Sequence, residues 1–199
     1  MKIKGFIVND KKYIYQKTLL MLIIFMIGIV AGAVYCTLLS SQFDDSLYSY
    51  LSDFFLRIKD ELPYLKTLKS SLFKNLRLFF ILYIFSYFRL GAIGVMSTVG
   101  IKGFVSGFAS GAFIKYYGIK GLLLSLSSLF SNFLFIPSFL LLSSASFIMA
   151  SERKNADKTK KRKYVILAIC CLTIFCVSSV LDSFLTTTFM KLISSLFAK

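Results

Sequence analysis

One uncharged stretch places the strongest limit on how this chain can fold. Residues 18–43 contain no Asp, Glu, Lys or Arg, and residues 19–39 within them are mostly apolar. About 20 apolar residues are enough to cross the hydrocarbon core of a bilayer as an α-helix. A cleaved signal peptide has a shorter apolar core and a small-residue cleavage site. We therefore predict a first transmembrane helix at 19–39, preceded by a basic cytoplasmic tail at 1–17.

The composition agrees with a membrane protein and excludes several kinds of chemistry. Of 199 residues, 57% are hydrophobic and 17% are charged, which is too apolar for one soluble core of this size. The chain has no His, so imidazole-based nucleophile pairs, proton shuttles and metal sites are excluded. The four cysteines lie in apolar runs without metal-ligand spacing. We expect no catalytic site, cofactor, metal or disulfide.

Residues 43–76 carry both acids and bases, so this segment lies in water or at a membrane interface. Apolar residues recur there at three- and four-residue steps until Pro63, which predicts amphipathic external helices. These helices either rest on the bilayer and cap the bundle or form a docking surface for another protein. The residues that would form the docking surface are Leu47, Leu51, Phe54 and Ile58.

The next apolar stretch, 78–101, is interrupted only by Arg89 and predicts a second span. A guanidinium near mid-depth costs at least ~2.5–3.5 kcal/mol on insertion scales unless it finds water or a partner. Asp182 is the candidate partner for this buried charge. An alternative register places Arg89 in a turn and Lys102 inside the following helix, so either register buries one cation.

Glycines mark close helix contacts in two places. Residues 103–117 contain Gly103, Gly107 and Gly111 at four-residue steps, and Gly28 and Gly32 repeat this spacing in the first span. Such spacing removes side chains from one helix face and lets a second backbone approach. Three uses are open: helix packing within the chain, self-association into a homo-oligomer, or a substrate path. The segment is short for a full crossing, so it is a third span or a re-entrant helix.

Residues 121–150 contain no charge and predict a long fourth span with a kink at Pro137. Asn132 and many serines make this span polar in patches, and their side chains can satisfy the carbonyl that the proline frees. The alternative is a polar cavity lined by Asn132 and the serines, of the kind that a transporter uses.

The remaining charges predict the topology. The net charge is +15, and residues 151–163 form the strongest basic cluster, before a last span at 164–190. Cations near span ends favour the cytoplasm, so the N-terminus and this loop are expected to be cytoplasmic. The cations flank apolar spans, which argues against nucleic-acid binding. The predicted fold is an all-α, polytopic helical bundle in a cell membrane, with about five transmembrane helices in a single membrane domain, 1–199.

Two adjoining segments show a family resemblance. The runs GIKGFVSGFASGAF from Gly100 and YGIKGLLLSLSSLFSNFLFIPSFLL from Tyr117 resemble the stage II sporulation protein M family of spore-forming bacteria. The resemblance implies a role in engulfment during endospore formation, in the mother-cell septal or engulfing membrane. It also implies two extracytoplasmic peptidoglycan-degrading partners, the stage II sporulation proteins D and P.

Two functions are therefore weighed. The first is a non-enzymatic scaffold that localises wall hydrolases, as the resemblance implies. The second is the membrane subunit of a transporter or exporter that works with a separate ATPase, which the kinked serine-rich span and the buried Arg89 favour. A substrate path usually gathers several ionisable groups at membrane depth, and here only Arg89 and Asp182 are candidates.

The docking interpretation of the external helices generates a test. Replacing Leu51, Phe54 and Ile58 together by Ser removes the apolar face without adding charge. We expect membrane insertion to be unchanged and recovery of the partner in a detergent pull-down to fall. Unaltered recovery would place the docking surface elsewhere.

Overall fold

The structure is a computed structural model that describes residues 2–38, 49, 64–88, 90–152 and 158–197. These residues form α-helices and turns, with no β-strand among them. Three helical stretches are long and apolar enough to cross a membrane, Tyr13–Thr37, Gly91–Ile119 and Lys161–Phe184, and Phe135–Ser151 is a shorter apolar helix. The predicted all-α membrane bundle is confirmed. The described helices are α1 (Lys2–Thr37), α2 (Tyr64–Phe85), α3 (Gly91–Ser131), α4 (Phe135–Ser151) and α5 (Lys158–Phe197).

The contacts between helices define their relative directions. Phe25 faces Gly103 and Ala33 faces Gly111, so α1 and the first part of α3 run parallel. Contacts between α2 and α5 descend along one helix as they ascend along the other, which makes this pair antiparallel; they join Ser71 to Asp182, Asn75 to Ser179 and Phe79 to Phe175. Helix α4 runs opposite to the first part of α3 and to α5. Helices α1, α3 and α5 therefore start at one end of the bundle, and α2 and α4 finish there.

That end also gathers cations, and we call it the basic end. The Lys17 ammonium lies 5.4 Å from the centre of the Phe147 ring, near the end of α4. Tyr164, which follows the exposed residues 161–163 at the start of α5, shares a 3.1 Å hydrogen bond with Ser146. The first turns of the membrane part of α1 and the basic start of α5 thus both lie beside the end of α4.

The boundary between α2 and α3 differs from the predicted second span at 78–101. Helix α2 ends at Phe85, and residues 86–88 and 90 belong to the turn that follows. The Ser86 hydroxyl donates to the Tyr83 carbonyl at 2.6 Å, a local bond that competes with helix continuation. A Cβ atom at Gly91 would collide with the Phe85 carbonyl oxygen, so the reversal requires glycine there. Arg89 itself lies outside the described residues.

The boundary at residue 102 differs as well. Helix α3 is continuous from Gly91 through 101–103, so 103–117 is not a separate third segment. Lys102 consequently lies near the middle of the span Gly91–Ile119. This arrangement corresponds to the alternative register, in which a turn follows the second crossing and the following helix carries Lys102.

Gly118 reverses the chain within α3. Its φ of 55° and ψ of −127° are non-helical, and L side chains rarely adopt a positive φ. After this kink the chain folds back, because Gly121 packs directly against the backbone of Phe113 and Ile114. The second part of α3 therefore begins the descending segment that α4 completes.

The predicted kink at Pro137 corresponds to a turn that lies just before the proline. A turn at residues 132–134 separates α3 from α4, and Pro137 lies in the first turn of α4. Proline is tolerated there because amides in the first turn have no partner inside the helix. The carbonyl of Leu134, the residue before α4, accepts a 3.0 Å hydrogen bond from the Ser138 hydroxyl.

Helix α4 occupies the centre of the bundle and contacts all four other described helices. Rings dominate the core around it: Phe135 lies 4.7 Å from Phe175 and 5.6 Å from Phe139, measured between ring centres. The first and last helices also differ in extent from the predicted segments. Residues 2–17 continue α1 instead of forming a separate tail, and α5 runs beyond the predicted 164–190 at both ends.

The Gly118 backbone generates a prediction. Replacing Gly118 by Ala should destabilise the fold by about 1–3 kcal/mol, because a Cβ residue at this φ and ψ is strained although no atom lies within 4 Å of its Cβ position. The measurement is the thermal midpoint of the purified protein in detergent. Ile119→Ala, at the adjacent and 84% exposed position, is the control and should change the midpoint much less. Equal midpoints for Gly118→Ala and the wild type would show that the kink is not fixed.

Candidate functional site

The glycines singled out in the sequence come together between α1 and α3. A Cβ atom at Gly103 would collide with the Phe25 carbonyl oxygen, and one at Gly107 with the Ile29 carbonyl oxygen. At Gly111 the Ala33 Cα would lie at 3.3 Å, and at Gly28 the Phe104 nitrogen would lie at 3.0 Å. Gly32 meets the Phe104 carbonyl oxygen in the same way. The two backbones therefore touch along three helical turns, and we call this contact the glycine interface.

Polar and aromatic side chains make further contacts beside the glycine interface. Beyond Gly111, the Lys115 ammonium donates a 3.4 Å hydrogen bond to the Cys36 carbonyl, in the last turn of α1. A cation at a helix C-terminus is favoured by the helix dipole and occupies a carbonyl that lacks an intrahelical donor. On the outer side, the Tyr35 ring lies 5.7 Å from the Phe104 ring. Polar and aromatic contacts thus extend the interface to both sides of its glycines.

A second element, the polar ladder, joins α2 to α5. The Ser71 hydroxyl donates to the Asp182 carboxylate at 2.7 Å, and one turn further the Asn75 amide donates to Ser179 at 2.8 Å. The next rung is apolar, with the Phe79 and Phe175 rings 6.1 Å apart. These hydrogen bonds and ring contacts at successive turns fix the register of the two helices.

The ladder ends in a tyrosine cluster at the basic end. The Tyr83 and Tyr164 rings are stacked at 6.0 Å, and the Tyr83 hydroxyl lies 3.1 Å from the Tyr87 hydroxyl. Tyr164 also meets Ser146 of α4. This cluster ties α2, α4 and α5 together beside the turn that leads into α3.

Sequence reasoning missed the ladder, although a signal was present. Ser71, Asn75, Phe79, Tyr83 and Tyr87 follow one another at four-residue steps, which places all five on one face of a helix. The cations in the first part of α2 instead favour an interpretation of this segment as a water-exposed helix. The polar partners on α5 cannot be paired with α2 without knowing that the two helices are antiparallel.

The serines of α4 are used inside the bundle. Ser143, Ser144 and Ser146 are fully buried, and the hydroxyls of Ser143 and Ser144 donate to the carbonyls of Phe139 and Leu141 at 2.6 and 2.8 Å. Ser144 also accepts a 3.0 Å hydrogen bond from Thr18 of α1. Small, internally bonded side chains let α4 approach its neighbours closely. Asn132 lies apart from them in the turn, where its carbonyl accepts from the Ile136 amide at 2.9 Å.

The buried charges are arranged differently from the predicted pairing. Asp182 lies at the end of the ladder opposite the basic end, whereas Phe88 and Leu90, the chain neighbours of Arg89, lie in the turn near Gly91 and Ala150. Lys102, the buried cation of the alternative register, has its ammonium 5.4 Å from the centre of the Phe135 ring. The pairing of Arg89 with Asp182 remains a prediction, because Arg89 is outside the described residues. The same holds for Leu47, Leu51, Phe54 and Ile58.

Most of the contacts described above lie within a segment that matches a known protein family. The family model described as stage II sporulation protein M matches residues 21–187. The chain belongs to this family. The match spans the glycine interface, the polar ladder and α4, and it makes this a sporulation-related membrane protein. No curated protein and no solved structure gives a significant match to this member of the stage II sporulation protein M family.

The glycine interface generates a prediction. Replacing Gly107 by Leu should separate α1 from α3, because the side chain would have to occupy the position of the Ile29 backbone. Overpacking alone costs about 1–3 kcal/mol, and backbone cannot move aside as a side chain can. We expect a reduced amount of folded, membrane-inserted protein, measured by fluorescence-detected gel filtration after mild detergent extraction.

The matched control for that substitution is on the same helix. A Cβ atom at Gly100 would meet only the Ile24 Cγ2 at 3.7 Å, an ordinary contact, so Gly100→Ala should leave the yield unchanged. Gly107→Ala should fall between the control and Gly107→Leu. Unchanged abundance and assembly of Gly107→Leu would contradict the packing role.

Proposed function

We propose that this protein is a non-enzymatic membrane scaffold required for engulfment during endospore formation. It recruits extracytoplasmic peptidoglycan hydrolases, the stage II sporulation proteins D and P, and holds them at the septal membrane. Family membership supports a sporulation role, and the resemblance of its central segment to this family suggests these partners. The engulfment role, the partners and the septal location belong to this proposal.

The observation that carries the scaffold role is the closed glycine interface. Where two backbones touch, no passage for a substrate is left between the helices, and relative sliding of α1 and α3 would bring carbonyl oxygens against Cα atoms. The internally bonded serines of α4 similarly fill the centre of the bundle. A rigid frame of this kind suits a protein that positions others.

The two basic segments support an orientation. Lys17 lies at the same end of the bundle as residues 161–163, and cations near span ends favour the cytoplasm. The scaffold would then present the opposite end, with the start of α2 and the segment before it, to the extracytoplasmic space. That is where wall hydrolases act.

A transporter subunit remains the second candidate because of one specific observation. Lys102 and Asp182 both belong to helices long and apolar enough to span a membrane. Ionisable groups at membrane depth often serve a transport path. This candidate predicts a separate ATPase as partner.

Affinity purification of the tagged full-length protein from sporulating cells separates the two functions. The scaffold function predicts that wall hydrolases co-purify, and that Gly107→Leu lowers their recovery in proportion to the loss of folded protein. Gly100→Ala is the control and should recover them fully. Recovery of an ATPase without any wall hydrolase would contradict the scaffold and support the transporter.

A further inference from the structure

Lys102 is in an unusual position for a charged residue. It lies near the middle of the span Gly91–Ile119, and a charge at the bilayer centre costs at least ~2.5–3.5 kcal/mol on insertion scales. Its ammonium lies 5.4 Å from the centre of the Phe135 ring, a contact that offsets only part of this cost. Lys102 is nevertheless partly exposed, whereas Val99 and Gly103 beside it are buried.

Other polar groups lie between Lys102 and the end of the bundle opposite the basic end. The Phe135 ring beneath the Lys102 ammonium packs on Phe175 of α5. Ser178 lies about one turn beyond Phe175 on that helix, and Asp182 lies one turn beyond Ser178. On the facing side of α2, the Ser71 hydroxyl donates to the Asp182 carboxylate. Polar side chains from α2, α3 and α5 thus follow one another from mid-membrane to the bundle end.

Ser178 supplies an independent observation. Its hydroxyl is buried, with 1% of the residue exposed, and it has no hydrogen-bond partner among the described residues. A buried hydroxyl without a partner costs about 1–3 kcal/mol, and buried polar groups of this kind are commonly satisfied by water. Water needs two to four polar partners, and Asp182 lies one turn away on the same face of α5.

We propose that a hydrated crevice between α2, α3 and α5 reaches Lys102 from the Asp182 end of the bundle and admits small hydrophilic anions. The preference for anions follows from Lys102 itself and from the exposed cations on the part of α2 at that end, Lys69, Lys74 and Arg77. The crevice is separate from the closed glycine interface. This proposal goes beyond the scaffold function and does not depend on it.

Thiol accessibility tests the crevice directly. The chain with its four native cysteines replaced by Ala is reconstituted in lipid nanodiscs, which leave both ends open to water. Lys102→Cys and Ser178→Cys are each treated with an anionic sulfonatoethyl and a cationic trimethylammonioethyl methanethiosulfonate. Val105→Cys is the control, because Val105 is 54% exposed on the same helix, and a thiol in lipid stays protonated and unreactive.

The crevice predicts that the thiols at 102 and 178 react with the anionic reagent at least about tenfold faster than the thiol at 105. The thiol at 178 should also prefer the anionic reagent over the cationic one, and adding Lys102→Gln should reduce this preference. If Lys102→Cys does not assemble, by gel filtration, Ser178→Cys decides alone. Rates at 178 equal to the control rate would overturn the crevice, and a preference for the cationic reagent would overturn its anion selectivity. Neither outcome bears on co-purification with hydrolases.

Discussion

The close approach of two helix backbones is the constraint on which the rest of this bundle depends. Moving an apolar side chain from lipid tails to a helix interface changes its free energy little. Helices in a membrane therefore associate through van der Waals packing and interhelical hydrogen bonds. Three glycines of α3 and two of α1 provide that packing. The contact makes α1 and α3 parallel, and parallel neighbours require the chain to cross back between them. The direction of α2 follows from this requirement, and not from its own composition.

The polar groups of the bundle fall into two kinds. Most are satisfied locally, as where Ser143 and Ser144 bond carbonyls of their own helix, or across the ladder between α2 and α5. These groups specify register and leave little capacity for a ligand. Lys102 and Ser178 form the second kind, since the structure gives them contacts that do not complete their bonding capacity. A scaffold function draws on the first kind, and any solute chemistry would draw on the second.

Composition predicted the membrane class, and four-residue glycine spacing predicted a close helix contact, because each rests on a local pattern. Neither pattern resolved the segment around Arg89, since a continuous span at 78–101 and a turn followed by a helix with Lys102 each bury one cation. Ser86 and Gly91 decide this locally, through a hydroxyl that bonds the Tyr83 carbonyl and a backbone pressed against Phe85. The sequence predicts a kink at Pro137 because no local pattern shows that a helix begins at Phe135, two residues before it. The α2–α5 partners depend on tertiary direction, which no local pattern contains.

The antiparallel ladder has a consequence for how the chain is made. Helix α2 carries several cations, and its stabilising partner Asp182 follows Ser71 by 111 positions. While the ribosome is producing α3 and α4, α2 has no companion for its polar face. The packing of α2 in the bundle can therefore be completed only after α5 has been synthesised.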